Sequence, residues 1–186
     1  MNSNIRHLLE DATANRTRNF IDLGCGDGSI CFWLAEQGIS VIGVDRALPF
    51  PPGVPISISD VGPGSVILLN ADVCELHIDD SFHTIICFGL LHNLGGFESV
   101  NDLLNKIAAW STLDGRILLS WLLDVNPTTP EHVHAYFPPA DVVEEILNHC
   151  GFQMIRSWTT PLEHSHRGGP IHTHQAIYSS WSRRDH

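Results

Sequence analysis

Phe20-Ile21-Asp22-Leu23-Gly24-Cys25-Gly26-Asp27-Gly28-Ser29 is the stretch on which the fold turns. An apolar run over residues 18–23 stops in a glycine-rich turn, and residues 29–37 then have the composition of a short helix closed by Gly38. Strand, turn and helix follow in that order. Glycines spaced Gly-x-Gly-x-Gly at the end of a first strand let a ligand lie against bare backbone, with helix N–H groups aimed at it; nucleotide-like ligands use such a site. The dinucleotide fingerprint places its third glycine three residues after the second. Here Ser29 holds that place and the glycine comes one residue early, at Gly28, which disfavours NAD.

Working outward, further apolar runs cover residues 40–44, 66–69 and 82–88, and they stop at Asp45, at Asn70-Ala71-Asp72 and at Gly89. Residues 98–110 have helical spacing through Val100, Leu103, Leu104 and Ile107, and an Asp114-Gly115 turn leads into a fifth strand over 116–122. A further amphipathic helix over 140–150, stopped by Gly151, precedes strands near 152–158 and 173–179. The alternation predicts an α/β, Rossmann-like, mainly parallel seven-stranded sheet. Arg167-Gly168-Gly169-Pro170 suits a turn, so the last strand is expected to return as a C-terminal antiparallel hairpin. Between Ala47 and Gly64, prolines at 49, 51, 52, 55 and 63 nearly exclude a regular helix.

The 186 residues, 43% hydrophobic, suit one domain over 1–186, with a cofactor half over about 18–90 and a substrate-side half over about 90–180. Acidic residues outnumber basic ones 21 to 10, and Lys106 is the sole lysine, so a nucleic acid backbone would be repelled and no polybasic run holds a membrane. No apolar stretch approaches the roughly 18 residues a membrane helix needs. The opening residues lack signal-peptide order, and a cytoplasmic location is the expectation. The five cysteines are scattered and never spaced CxxC, as core thiols would be. A core of this size with an uncovered rim suits a homodimer.

Asp45, at the tip of the second strand, can accept two hydrogen bonds from a ribose diol. Asp22 and Asp72 add carboxylates at the ends of strands one and three, which suits a ligand with a cationic group and an adenine amine better than a pyrophosphate. With these residues in place, Phe20 to Gly28 resembles motif I of class I S-adenosylmethionine-dependent methyltransferases. Val41-Ile42-Gly43-Val44-Asp45 resembles their motif II, and Asn70-Ala71-Asp72-Val73 their third. The resemblance implies S-adenosylmethionine as cofactor, with Gly24, Cys25, Gly26 and Gly28 under its methionine moiety and Asp22 near its amino group. It further implies Asp45, followed by Arg46, on the ribose, Asp72 and Val73 at the adenine, and Phe88-Gly89 beside the methionine part. Phe88-Gly89-Leu90-Leu91-His92-Asn93-Leu94 is similar to the loop after strand four in small-molecule members, and lacks the Asn/Asp-Pro-Pro-aromatic motif of amino-methylating DNA enzymes. The short chain and its Pro-x-His-x-His ending are similar to the tellurite-resistance methyltransferases.

Histidine is the compositional outlier, with twelve residues. His92, His132, His134, His164, His166, His172 and His174 all fall in loops expected on the cofactor's edge of the sheet. His164, His166, His172 and His174 form two His-x-His pairs facing across Gly168-Gly169. They read as ligands for a divalent metal, as exposed polar residues on a hairpin, or as a pocket for an acidic small molecule helped by Arg156 or Arg167. His92 is the candidate catalytic base; otherwise it is a hydrogen-bonded loop residue supporting the cofactor. Trp121 and Trp158 could wall an apolar substrate or belong to the core. The expected activity is methyl transfer to a small molecule; the alternatives are non-methyl chemistry with the same cofactor and a metal-handling module.

Overall fold

The computed structural model describes residues 1–13, 19–58, 61–123, 135–164 and 171–184, with the backbone only at His164. In chain order they form α1 (Ser3–Ala12), β1 (Phe20–Leu23), α2 (Ser29–Glu36), β2 (Ser40–Val44), β3 (Pro55–Ile58) and β4 (Ser65–Leu69). There follow β5 (Phe82–Phe88), a 3-10 turn (Leu91–Asn93), α3 (Phe97–Trp110), β6 (Ser111–Leu123), α4 (Ala140–His149), β7 (Phe152–His164) and β8 (His172–Arg183). One sheet contains all eight strands in the order β3-β4-β2-β1-β5-β6-β8-β7. The pairs β4-β2, β2-β1, β1-β5 and β5-β6 are parallel, and β8 returns antiparallel between β6 and β7.

The period of two along each strand sorts the core into two layers. Ile21, Leu23, Ile85 and Cys87 pack with Leu104 and Ile107 of α3 and Val143 and Leu147 of α4. Phe20, Ile86 and Leu118 pack with Leu8 and Leu9 of α1 and Leu34 of α2. Strands β1 and β5 have apolar side chains on both faces, which is why they are mostly apolar instead of alternating, with Asp22 in β1 and His83 and Thr84 in β5 as the exceptions.

The expected seven strands become eight, because β3 lies inside the proline-rich segment. Pro55 is tolerated there as the first residue of an edge strand, where its missing N–H breaks no ladder. Asn70 folds that segment back: its Nδ2 donates to the carbonyls of Leu48 and Phe50, and its own carbonyl accepts from Gly53 N–H at 2.9 Å. Asp114-Gly115, expected as a turn before a strand, lies inside β6. The register steps from Phe82↔Ser111 to Thr84↔Arg116, so the intervening residues form a bulge in a continuous strand. Both strands of the final hairpin run further than expected, with Pro161 on the outermost strand, β7.

Helix α1 was not anticipated. Asn2 caps it by accepting from Asn4 N–H at 2.8 Å, and Leu8, Leu9 and Ala12 are buried. Its polar side is tied to the last two strands. Trp158 Nε1 donates to Asn4 Oδ1 at 3.0 Å, and Asn4 Nδ2 donates to Thr160 Oγ1 at 3.3 Å. Arg156 pairs with Asp11 at 2.5 Å, donates to His7 Nε2 at 2.9 Å and lies 5.3 Å above the Trp158 ring.

Gly64 marks the tightest approach of chain to chain. A Cβ there would fall against the Ile39 carbonyl oxygen, 2.7 Å from Ile39 N and 2.8 Å from Ala35 Cα, all backbone atoms that cannot swing aside. Gly64→Ala is therefore expected to lower the unfolding free energy by about 3 kcal/mol or more in a urea titration; a midpoint unchanged from the parent would show that the segment entering β4 can shift.

Candidate functional site

The strand order reverses between β1 and β5, and in open α/β sheets ligands bind at such a point, beyond the carboxyl ends of the strands. At the end of β1 the backbone turns through Gly24, Gly26 and Gly28 with φ of 76°, 57° and 78°, a left-handed region that favours glycine at all three places. The N–H groups of Gly24 and Cys25 both donate to the Val44 carbonyl, at 2.8 and 3.1 Å, which pins the turn to the end of β2. Gly28 has no side chain to cap α2, and Asp27 does so instead, its Oδ1 accepting from Ser29 N–H at 3.0 Å. That bond holds the Asp27 carboxyl below its ordinary range.

Asp45 is fixed from both sides. Its Oδ2 accepts from Gly26 N–H at 2.9 Å and its Oδ1 from Ala47 N–H at 2.8 Å. Each carboxylate oxygen keeps a further lone pair for a ligand hydroxyl. Asp72 is oriented in the same manner, with Oδ1 accepting from Cys74 N–H at 2.9 Å and Oδ2 lying 3.6 Å from Arg46. Arg46 is mostly exposed, so that pair contributes under about 1 kcal/mol and leaves Arg46 movable.

These groups converge on a cavity of about 370 Å³ whose lining includes Gly24, Asp45, Arg46, Asp72 and Val73. Five expected cofactor residues are thus brought together from the ends of β1, β2 and β4. The loop after β5 adds Gly89, Leu90, Asn93 and Leu94 to the lining. The sequence named Gly89 and His92 from this loop but not Asn93, whose Nδ2 donates to the Gly89 carbonyl at 2.8 Å and so closes the loop. Cys25, Gly26 and Gly28 shape the turn without lining the cavity.

Asp22 is enclosed between β1 and α2, 1% exposed, and does not line the cavity. Cys31 Sγ donates to its Oδ2 at 3.7 Å. Burial pushes the Asp22 carboxyl up to about 7, partly opposed by the thiol's hydrogen bond and reinforced by the negative charge of Asp45. The thiols nearby are held protonated: the Cys25 thiol and then burial raise Cys31, and burial raises Cys87.

Phe88 and Gly89 border a second cavity of about 410 Å³, which reaches from the cofactor side toward α1 and β8. His92 lines it. The ring is 8% exposed, with Nδ1 accepting from Leu122 N–H at 3.5 Å and Nε2 3.3 Å from Asn93 Nδ2. Phe137 stacks against it at 6.2 Å and 7°, and against His174 at 6.1 Å and 19°. His172 meets His174 edge-on at 4.9 Å.

The two described hairpin histidines therefore belong to an aromatic wall built around Phe137. His132, His134 and His166 lie outside the described residues, as does the side chain of His164, whose backbone pairs with His172. Among the described residues, no group of three or more His, Cys, Asp or Glu is gathered to hold a metal. Trp121 is both core and wall: it is 2% exposed, donates from Nε1 to the Pro138 carbonyl at 2.9 Å and lines the second cavity. Trp158 does not line that cavity, being stacked on Tyr178 at 5.8 Å under α1.

A parallel sheet with this order, a glycine turn after β1 and an acid fixed at the tip of β2 define the class I methyltransferase fold. A family model described as a methyltransferase domain matches residues 20–115, and the chain belongs to that family. A curated relative, the ubiquinone biosynthesis O-methyltransferase of Rickettsia akari, is 22% identical over 163 residues, covering 77% of this chain and 64% of the relative. The chain thus spans under two thirds of that relative's length. Among solved structures, the magnesium protoporphyrin IX methyltransferase of Synechocystis with bound S-adenosylmethionine has 20% identity and a TM-score of 0.66, covering 97% of this chain and 76% of that one. The Burkholderia thailandensis 1,6-didemethyltoxoflavin N1-methyltransferase, with its substrate and S-adenosylhomocysteine bound, has 20% identity and a TM-score of 0.69, covering 98% of this chain and 79% of that one. No described helix is long and apolar enough to cross a membrane.

Proposed function

We propose that this protein transfers a methyl group from S-adenosylmethionine to a small molecule. The observation that carries the reading is the meeting of Gly24, Asp45, Asp72 and Val73 in one cavity that shares Gly89 with a second. The residues present fit the cofactor. Bare backbone at Gly24 admits close approach, the carboxylate of Asp45 keeps lone pairs for the ribose hydroxyls, and Asp72 with Val73 lies where the adenine would end. Asp22, enclosed behind the turn, does not reach this cavity and is left out of the cofactor's contacts. The relatives named for an O-methyl and an N1-methyl transfer support a small acceptor.

When bound, S-adenosylmethionine supplies a methyl group already activated by sulfonium, so the chain's task is alignment of nucleophile and carbon at about 3 to 3.5 Å. The loop from Gly89 to Leu94 stands between the two cavities and sets that alignment. With Nδ1 accepting from Leu122 N–H, His92 keeps its proton on Nε2 and steadies the loop in this geometry; an acceptor hydroxyl or amine would lose its proton to water, and a soft nucleophile would need no such help. Incubation with S-adenosylmethionine and a set of hydroxylated and aminated aromatics, read by mass spectrometry, tests the proposal. S-adenosylhomocysteine is expected to form in step with a methylated acceptor. Its formation without any methylated product, or its absence beyond the protein-free control, would refute methyl transfer.

A further inference from the structure

We infer that the second cavity selects an uncharged, ring-bearing acceptor, with the Tyr178 hydroxyl as its polar anchor and α1 as its roof. The inference rests on the methyltransferase reading for the word acceptor; the binding preference rests on the cavity alone. Its described lining contains no Asp, Glu, Lys or Arg. The polar side chains that reach it, Asn2, His92, Ser120 and Tyr178, are dipoles without formal charge at neutral imidazole, while Ile5, Phe88, Trp121 and Leu162 supply apolar surface. An ion entering such a space would give up its water with no counter-charge among the described residues to replace it. A neutral molecule with flat apolar faces loses little and gains the contact of Phe88 and Trp121.

The volume, about 410 Å³, lies near the small end of ligand pockets and suits one or two fused rings. One polar group on that ring system has a defined partner. Asn2 Nδ2 donates to Tyr178 Oη at 3.2 Å, and the phenol, accepting there, still has its own proton to donate to a ligand in the cavity that it lines. Asn2 is in turn fixed by capping α1, and the Tyr178 ring by stacking on Trp158. The anchor is therefore set before any ligand arrives, which lowers the ordering lost on binding.

The test uses the full chain at pH 7 with and without S-adenosylhomocysteine, and three probes substituted at the same ring carbon: naphthol, naphthoate and naphthylmethylammonium. Calorimetry is expected to show naphthol binding about tenfold or more tighter than either ion. Tyr178→Phe, which keeps the ring and the stack on Trp158, is expected to weaken naphthol about three- to tenfold and to leave S-adenosylhomocysteine affinity unchanged. The inference is overturned if either ion matches naphthol, if naphthol fails to bind at millimolar concentration, or if Tyr178→Phe leaves its affinity intact. Failure of S-adenosylhomocysteine to bind while the naphthol preference holds would refute the methyltransferase reading and leave the cavity's preference standing.

Discussion

Asp22→Asn is expected to stabilise the ligand-free protein by about 2 to 4 kcal/mol at pH 8 and to change it little at pH 4. The folded carboxyl titrates near 7 against an ordinary 3.8, with burial as the main cause. Between those values the folded chain holds a proton that the unfolded chain has released, so stability falls as pH rises through the window and the loss is complete above about 7. A shift of about three units corresponds to roughly 4 kcal/mol. Asparagine fills the same space without charge, and its carbonyl oxygen can still accept from the Cys31 thiol. Urea midpoints measured from pH 4 to pH 8 should therefore diverge between parent and variant as pH rises. Parallel curves would mean that Asp22 is already relieved by water or a local rearrangement.

The second large effect belongs to Asp45. Its two oxygens are presented by backbone N–H groups at 2.9 and 2.8 Å, so the carboxylate needs no reorganisation to accept a ribose diol. Asp45→Ala removes two charge-assisted acceptors and releases the N–H groups of Gly26 and Ala47 together, which loosens the turn under the ligand. Affinity for S-adenosylhomocysteine is expected to fall about a hundredfold or more by calorimetry. Asp45→Asn keeps one carbonyl acceptor and should fall about tenfold. The side chain is only half-buried, so both variants should unfold near the parent's midpoint. An alanine variant that binds as the parent does would place the sugar elsewhere and remove the support for the whole assignment.

What could be read in the chain and what could not divide along a physical line. Asp45, Asp72 and the glycine turn were legible because each sits at a strand's end, and a strand's end is announced locally by the change from apolar to polar residues. The alternation of β1, α2 and β2 has the same local origin. The edge strand β3 was hidden by prolines, whose effect on a helix is visible in sequence but whose tolerance at an edge depends on the neighbour, β4. The Asp114-Gly115 pair has turn chemistry, and only the partner strand β5 decides that it bulges. The spacing of His172 and His174 was correctly assigned to one edge of the sheet, but not to the ring of Phe137, which comes from another part of the chain. Asn2 and Tyr178 are 176 positions apart, and no local pattern links them. Of the cavity beside the glycine turn, Gly24, Asp45, Arg46, Asp72 and Val73 were thus readable and Asp22 was misplaced; of the second cavity, His92 and Trp121 were readable, while the residues of α1 and β8 were not, because long-range packing brings them there.

Helix α1 is seated on the last strands to be made, β7 and β8. On the ribosome, the parallel centre of the sheet can close with Leu8 and Leu9 of α1 against it while the polar side of that helix still has no partner, since Trp158, Thr160 and Tyr178 emerge late. On the proposed reading, a growing polypeptide could therefore hold its donor before the wall that would choose the acceptor was complete.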